Sequence, residues 1–204
     1  MSKANIKRSL DLRNLSQLKQ VVMTDTNLVE TAHIQFPNLK TLFADYVQFK
    51  STEWLTHQTE LTHLSLENVQ ALRSRDLQGL TKLQVLDVRG TELDDPDILK
   101  QLTSLSSLYI GHTKFSDFAL PAIYEKLLHL DVSGLKILNL PDVVRSSRLR
   151  LLITDNVDLE LAAALNESKF PIRVFHTQPV ISSVRGVLSP SVSLARRVQS
   201  NRAQ

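Results

Sequence analysis

Apolar residues along this chain do not keep a single period. In "LTKLQVLDVRGTEL", residues 80–93, leucines stand three apart at Leu80, Leu83 and Leu86, then the step tightens to two at Val88, with Thr91 following. A helix would hold to steps of three and four, and a strand to two throughout. The mixed spacing predicts a very short strand, flanked by turns or helical pieces that return to the same core. The arrangement recurs 22 residues later in "LTSLSSLYIGHTKF" as Leu102, Leu105, Leu108, Ile110, Thr113 and Phe115. It extends in both directions, through Leu18-Val21-Met23, Leu39-Leu42-Ala44, Leu61-Leu64-Leu66, Leu127-Leu130-Val132, Leu149-Leu152-Thr154 and a decaying unit read as Ile172, Phe175, Thr177 and Val180. The units start at 18, 39, 61, 83, 105, 127, 149 and 172, in steps of 21, 22, 22, 22, 22, 22 and 23. A fixed period of this length marks a repeat array, in which one unit cannot bury its own apolar edge and neighbours must stack.

The spacing resembles the leucine-rich repeat pattern L-x-x-L-x-L-x-x-N/C/T-x-L, over roughly residues 15 to 180. The resemblance implies an α/β solenoid: a curved parallel β-sheet on the concave face, with short helices or 3₁₀ turns on the convex face. The period is shared with internalins and with the 22-residue-repeat regulator of protein phosphatase 1. One position departs from the family pattern. Where Asn is usual, this chain has Thr26, Val47, Val69, Thr91, Thr113, Leu135, Val157 and Val180. A Thr hydroxyl can satisfy part of the turn backbone, whereas Val and Leu can only stack. Gly90, Gly111 and Gly134 fall in or beside this turn, where a missing Cβ is useful. The expected organisation is a lead or N-terminal cap at 1–17, an array of about eight units at 18–180, and a C-terminal cap with a partly disordered basic tail at 181–204. If Ile6, Leu10, Leu12 and Leu15 fail to cover the first unit, another subunit is expected to do so.

Several returning segments carry helix signals. "DDPDILKQL" offers Asp95 as N-cap and Pro96 at the first helical position. "STEWLTHQTEL" offers Ser51 or Thr52 as cap, with Trp54 as a convex packing residue. "SDFALPAIYEKL" is expected to start at Ser116 and to be limited or kinked at Pro121. "DLELAAALNESKF" predicts a helix near 159–167, while "LPDVVRSS" and "LRSRDLQGL" predict single turns.

Composition narrows the function classes. The chain has 204 residues, no cysteine and a formal charge of +3. Disulfide-capped domains and cysteine-ligated metals are therefore excluded. The first residues hold no apolar stretch of leader length, and no run approaches a membrane span. A cytoplasmic or otherwise intracellular setting is the expectation. The positive charge is local: Lys169, Arg173, Arg185, Arg196, Arg197 and Arg202 follow Ser168 with no acid among them, leaving 18 basic against 21 acidic residues in the rest. The basic pI therefore describes a tail and does not indicate a nucleic-acid face.

In this architecture function is expected on the concave sheet, where alternate side chains point away from the core. The residue before each L-x-L strand reads Gln20, Thr41, His63, Val85, Ser107, His129, Leu151 and Val174; the residue inside it reads Val22, Phe43, Ser65, Asp87, Tyr109, Asp131, Ile153 and His176. Just after come Thr24, Asp45, Glu67, Arg89, Gly111, Ser133, Asp155 and Gln178, with Tyr46, Asn68 and His112 at the turn edge. The candidate partner-binding strip is therefore Phe43, Asp45, Tyr46, His63, Glu67, Asp87, Arg89, Tyr109, His112, His129 and Asp131. Aromatic residues and Arg dominate binding hot spots.

His129 and Asp131 share a strand face near Ser107, a pair of the type that serves as a general base or binds a metal. No third ligand or deep pocket is expected, and the nucleotide-binding, zinc-peptidase and serine-hydrolase fingerprints are missing. Asp94, Asp95 and Asp97 read as a helix N-terminus in preference to a calcium loop. The sequence thus predicts a non-enzymatic protein-interaction module with no cofactor and no metal, whose heteromeric protein partner offers a basic or mixed-charge element. Two variants of this reading are a recognition subunit of a ubiquitin ligase or phosphatase assembly, and an internalin-like or injected bacterial effector that binds a host protein.

Overall fold

The computed structural model describes residues 17–23, 36–176, 188–189 and 192–196. Nine strands form one parallel sheet in sequence order: β1 (Gln20–Val22), β2 (Thr41–Phe43), β3 (His63–Ser65), β4 (Val85–Asp87), β5 (Ser107–Tyr109), β6 (His129–Asp131), β7 (Leu151–Thr154), β8 (Ile172–His176) and β9 (Val192–Arg196). The core lies behind this sheet. Leu42, Leu64, Leu86, Leu108, Leu130 and Leu152 are paired in register and fully buried. Leu39, Leu61, Leu83, Leu105, Leu127 and Leu149 form a second buried column. Each repeat thus closes its neighbour's apolar edge, and this stacking is what stabilises the solenoid.

The backbone ladder runs past the strands into the turns. Ala44, Leu66, Val88, Ile110 and Val132 donate their N–H groups to Ser65, Asp87, Tyr109, Asp131 and Ile153 of the next repeat, at 2.8–2.9 Å. Two residues later Tyr46, Asn68, Gly90 and His112 donate to Glu67, Arg89, Gly111 and Ser133. Tyr46, Asn68, Gly90, His112 and Gly134 all hold left-handed backbone, with φ of 59°, 58°, 66°, 58° and 75°. This ladder does the work of the missing Asn column. Thr91 and Thr113 add the expected hydroxyl bonds, to the Val88 and Ile110 carbonyls at 2.7 and 2.9 Å. Val47, Val69 and Val157 stack buried in the same column.

The convex side is built from 3₁₀ turns at Glu53–His57, Ser74–Leu77, Pro96–Gln101 and Ala122–Lys126, followed by α1 (Leu140–Ser146) and α2 (Leu159–Glu167). Asp95 and Asp158 cap as their sequences require, accepting from the Asp97 and Leu161 N–H groups at 2.9 and 2.8 Å. Trp54 is a packing residue, set edge-on to Phe36 at 6.2 Å. Among the described residues, no helix is long and apolar enough to cross a membrane.

Three expectations change. The piece expected from Ser116 begins only at Ala122, because Phe118 stays extended and bridges to Ile137. "LPDVVRSS" is a seven-residue helix and not a single turn, since Leu140, Val143 and Val144 give it a buried stripe. The last unit stands one residue away from the register expected from its apolar spacing. Leu152 pairs with Val174 and Thr154 with His176, so Val174 and His176 are buried, while Arg173 and Phe175 occupy the outward positions. The segment expected as C-terminal cap and tail contributes β9, which pairs with all five residues of β8. The proposed N-terminal cap residues, Thr24, Thr26, Thr177, Gln178, Val180 and most of 181–204 lie outside the described residues.

Close approach between repeats is sharpest at Gly111. A Cβ there would meet the Ser133 hydroxyl oxygen at 2.4 Å, the Asp131 Oδ1 at 2.8 Å and the Ser133 carbonyl at 3.1 Å. Gly79 also needs a left-handed φ, of 79°, but nothing lies within 4 Å of its missing Cβ. Gly79→Ala is expected to cost about 1 kcal/mol from backbone strain, and Gly111→Ala about 3 kcal/mol from forced separation of two repeats. Urea unfolding of both variants checks the order; equal losses would show that inter-repeat spacing is not limiting.

Candidate functional site

The strand face away from the helical pieces presents the outward columns. A connected polar network crosses it, centred on Arg89. The Arg89 guanidinium makes a two-point contact with Asp87, Nε to Oδ1 at 2.8 Å and Nη2 to Oδ2 at 2.6 Å. Nη2 also donates to Glu67 Oε2 at 3.0 Å. Nη1 stands 3.9 Å from Asp131 Oδ2, and the guanidinium carbon lies 5.6 Å from the centre of the Tyr109 ring. Glu67 Oε1 accepts from the Tyr46 hydroxyl at 2.8 Å. Asp45 Oδ1 accepts from the Ser65 hydroxyl at 2.6 Å and the Glu67 N–H at 2.9 Å. Seven of the expected strip residues therefore form one structure: Asp45, Tyr46, Glu67, Asp87, Arg89, Tyr109 and Asp131.

Burial differs sharply within it. The Arg89, Asp87 and Asp131 side chains are 23%, 13% and 0% exposed. The expectation that Asp131 faces a partner is corrected. Its Oδ1 accepts from both the N–H and the hydroxyl of Ser133, at 3.0 and 2.6 Å, beneath the close approach at Gly111. Tyr46, at 46% exposure, and His112 are the open members of the turn edge. Their left-handed backbone carries a cost of about 1–2 kcal/mol each, offset by the ladder bonds they donate. The His112 ring lies over Gly134, 2.5 Å from where a Cβ would stand.

Phe43 is half-buried on β2, between Val22 and Ser65. His63 and His129 lie in the neighbouring column, outside the Arg89 network. Each meets a hydroxyl through Nδ1: Thr62 at 2.9 Å and Ser107 at 3.0 Å. At that distance the Ser107 hydroxyl and the His129 ring are hydrogen-bonded. The carboxylate two residues away, Asp131, is engaged by Ser133. Among the described residues no group of three or more His, Cys, Asp or Glu is placed to hold a metal ion.

Three carboxylates, at Glu67, Asp87 and Asp131, thus surround a single guanidinium. Burial pushes the Asp87 carboxyl above its usual range and outweighs the bonds and charge from Arg89; the neighbouring Glu67 charge adds to the rise. Burial alone would lower Arg89. Its hydrogen bond with Asp87 and the charges of Asp87, Glu67 and Asp131 hold it above its ordinary value instead. Burial, with the Asp87 charge, also raises the Tyr109 phenol.

Comparison with solved structures places this geometry among known folds. An internalin (inlF) of Listeria monocytogenes superposes with a TM-score of 0.66 at 18% identity, over 95% of this chain and 59% of that one. An internalin C2 of the same organism gives 0.69 at 19% identity, over 90% and 82%. The chain is a leucine-rich repeat solenoid. A third similar structure, an octameric complex of latrophilin 3, Unc5D and the leucine-rich repeat portion of FLRT2, gives 0.51 at 13% identity, over 91% and 78%. This solenoid spans about 59% of the inlF structure. No protein-family model matches the sequence, and none of the curated proteins does.

Sequence reading did not single out Arg150, Arg173 or Phe175 of the solenoid's last repeats. Keeping the 22-residue step from Leu152 and Thr154 would have placed Val174 and His176 inward, and so Arg173 and Phe175 outward. The apolar Ile172 imitated a first leucine and shifted the unit by one.

Arg89 balances buried charge, so its removal has a pH signature. Without it, the folded-state pKa of Asp87 stays above the unfolded value of about 3.9, with nothing opposing burial and Glu67. A raised carboxyl pKa gives stability that is complete below the unfolded value and is lost as pH rises through the folded one. Arg89→Met is therefore expected to be nearly harmless near pH 3.5 and to cost about 2–3 kcal/mol by pH 6.5. Urea midpoints across that range test this; a pH-independent loss would mean that Arg89 acts by packing alone.

Proposed function

We propose that this solenoid is a non-catalytic protein-interaction module that binds a protein partner along the concave strip. The observation that carries the reading is the Arg89 network. Hydrogen bonds from Tyr46 through Glu67 to Arg89 and Asp87, with Tyr109 under the guanidinium, hold aromatic and charged side chains in place across four strands' repeats. Groups already held in the bound geometry lose little entropy on association. Asp45, Glu67 and Asp87 outnumber the one guanidinium of the network and favour a basic or mixed-charge element on the partner, with association that weakens as salt rises. The hydrogen bonds of the network run among its own side chains, which supports recognition over catalysis. FLRT2, whose leucine-rich repeats share this fold, stands in a multi-protein complex in the similar structure. The identity of the partner, its heteromeric nature, and membership in a ligase, phosphatase or effector system are finer steps of the same proposal.

The test is affinity capture from the source organism followed by titration of the captured protein. Phe43→Ala/Tyr46→Ala/Tyr109→Ala removes accessible aromatic area and leaves the core columns intact; circular dichroism confirms the fold. We expect the variant to bind at least about tenfold more weakly. Undiminished binding of the same partner would remove the strip as the working surface.

A further inference from the structure

The concave face changes character toward its C-terminal end. Through its middle it carries Asp45, Glu67 and Asp87. From β7 onward the outward positions read Leu151 and Ile153, then Arg173 and Phe175, then Ser193 and Ala195. A groove of about 490 Å³ opens there, with Leu151 and Phe175 among its apolar lining and Arg150, Arg173, His129 and Ser193 as its polar groups. The Arg150 guanidinium sits 4.3 Å from the centre of the Phe170 ring, which holds it in place before any ligand arrives.

These cations are uncompensated. Among the described residues, neither guanidinium enters an ion pair or hydrogen bond. Asp155, four residues beyond Leu151, lies past the far end of β7, where it accepts from the Gly134 N–H at 2.6 Å. Residues 168–204 contain no Asp or Glu. An apolar floor beneath two fixed or exposed guanidiniums is complementary to an apolar side chain flanked by carboxylates. It is a poor phosphate cradle, because the nearby Leu151 and Arg173 N–H groups are spent on the Leu128 and Arg150 carbonyls.

We propose that this groove binds an acidic peptide segment of a protein partner, with an aromatic or aliphatic side chain seated on Leu151 and Phe175 and its flanking carboxylates on Arg150 and Arg173. The site shares only His129 with the Arg89 strip and prefers the opposite charge. It stands or falls separately from the function proposed for that strip.

The experiment is selection from a random dodecapeptide display library on the full chain, followed by titration of the synthesised winners. Arg150→Glu/Arg173→Glu is the site variant. Arg75→Glu/Lys114→Glu changes the net charge equally, at exposed positions away from the groove. The expected winners carry an apolar residue between Asp or Glu residues, bind about tenfold or more weakly to the site variant, and bind the charge-matched control as they bind the parent. Winners without acidic residues would overturn the proposal, as would equal binding to the site variant. Loss confined to the strip variant Phe43→Ala/Tyr46→Ala/Tyr109→Ala would move the peptide site and overturn it too. So would an absence of winners while a single-stranded oligonucleotide binds, which would make the groove a nucleic-acid contact.

Discussion

The in-register backbone ladder is the constraint on which everything else rests. Each strand contributes only three residues through most of the sheet, too few to be stable alone. The N–H groups continue to pair with the next repeat through the turn, where Tyr46, Asn68, Gly90 and His112 take left-handed backbone. That continuation fixes the register of the strand and its turn, because a slip of one residue there would put a side chain of the wrong class into the leucine columns. It also fixes the inter-repeat distance, and so decides where a side chain can stand. At Gly111 the adjoining Asp131 and Ser133 fill the space of the missing Cβ.

The same ladder explains how a charge network forms on a short-stranded sheet. Parallel, in-register strands bring position-equivalent residues of successive repeats side by side. Glu67 and Arg89 are 22 residues apart in the chain, yet bond at 3.0 Å. Surface pairs such as Arg75–Glu53 and Lys82–Glu60 follow the same offset, but in solvent they contribute little. The Arg89 cluster is different because it is mostly removed from water, so its charges interact strongly and perturb one another. The concave face thereby acquires two regions of opposite character: a carboxylate-rich middle and a cationic, apolar end.

Much of the fold was legible because a solenoid is nearly one-dimensional. Leu86 and Leu108 must be equivalent if the period is real, and no long-range topology has to be guessed. The Asp95 cap, the Asp158-capped helix and the roles of Thr91 and Thr113 were readable as local signals whose partners lie within a few residues. Reading failed where local and global signals conflicted. Ile172 is apolar at a position that is polar or exposed in most other repeats, and β8 pairs over five residues with a strand that has no repeat signature.

The sequence by itself determined the period, the inward columns, the turn positions and the set of residues offered on the concave face, because each follows from spacing along a chain with one repeated geometry. Only the tertiary structure decided which of those residues stay accessible and which are bonded together. Asp131 and Asp87 occupy equivalent strand positions. One is buried beneath Ser133 and the other is clasped by Arg89. That difference arises from side-chain size and charge in the adjacent repeats, which no single repeat encodes. The tertiary structure likewise brings β9, which has no repeat signature, beside Arg173, and that placement completes a cationic groove from residues scattered over β6 to β9.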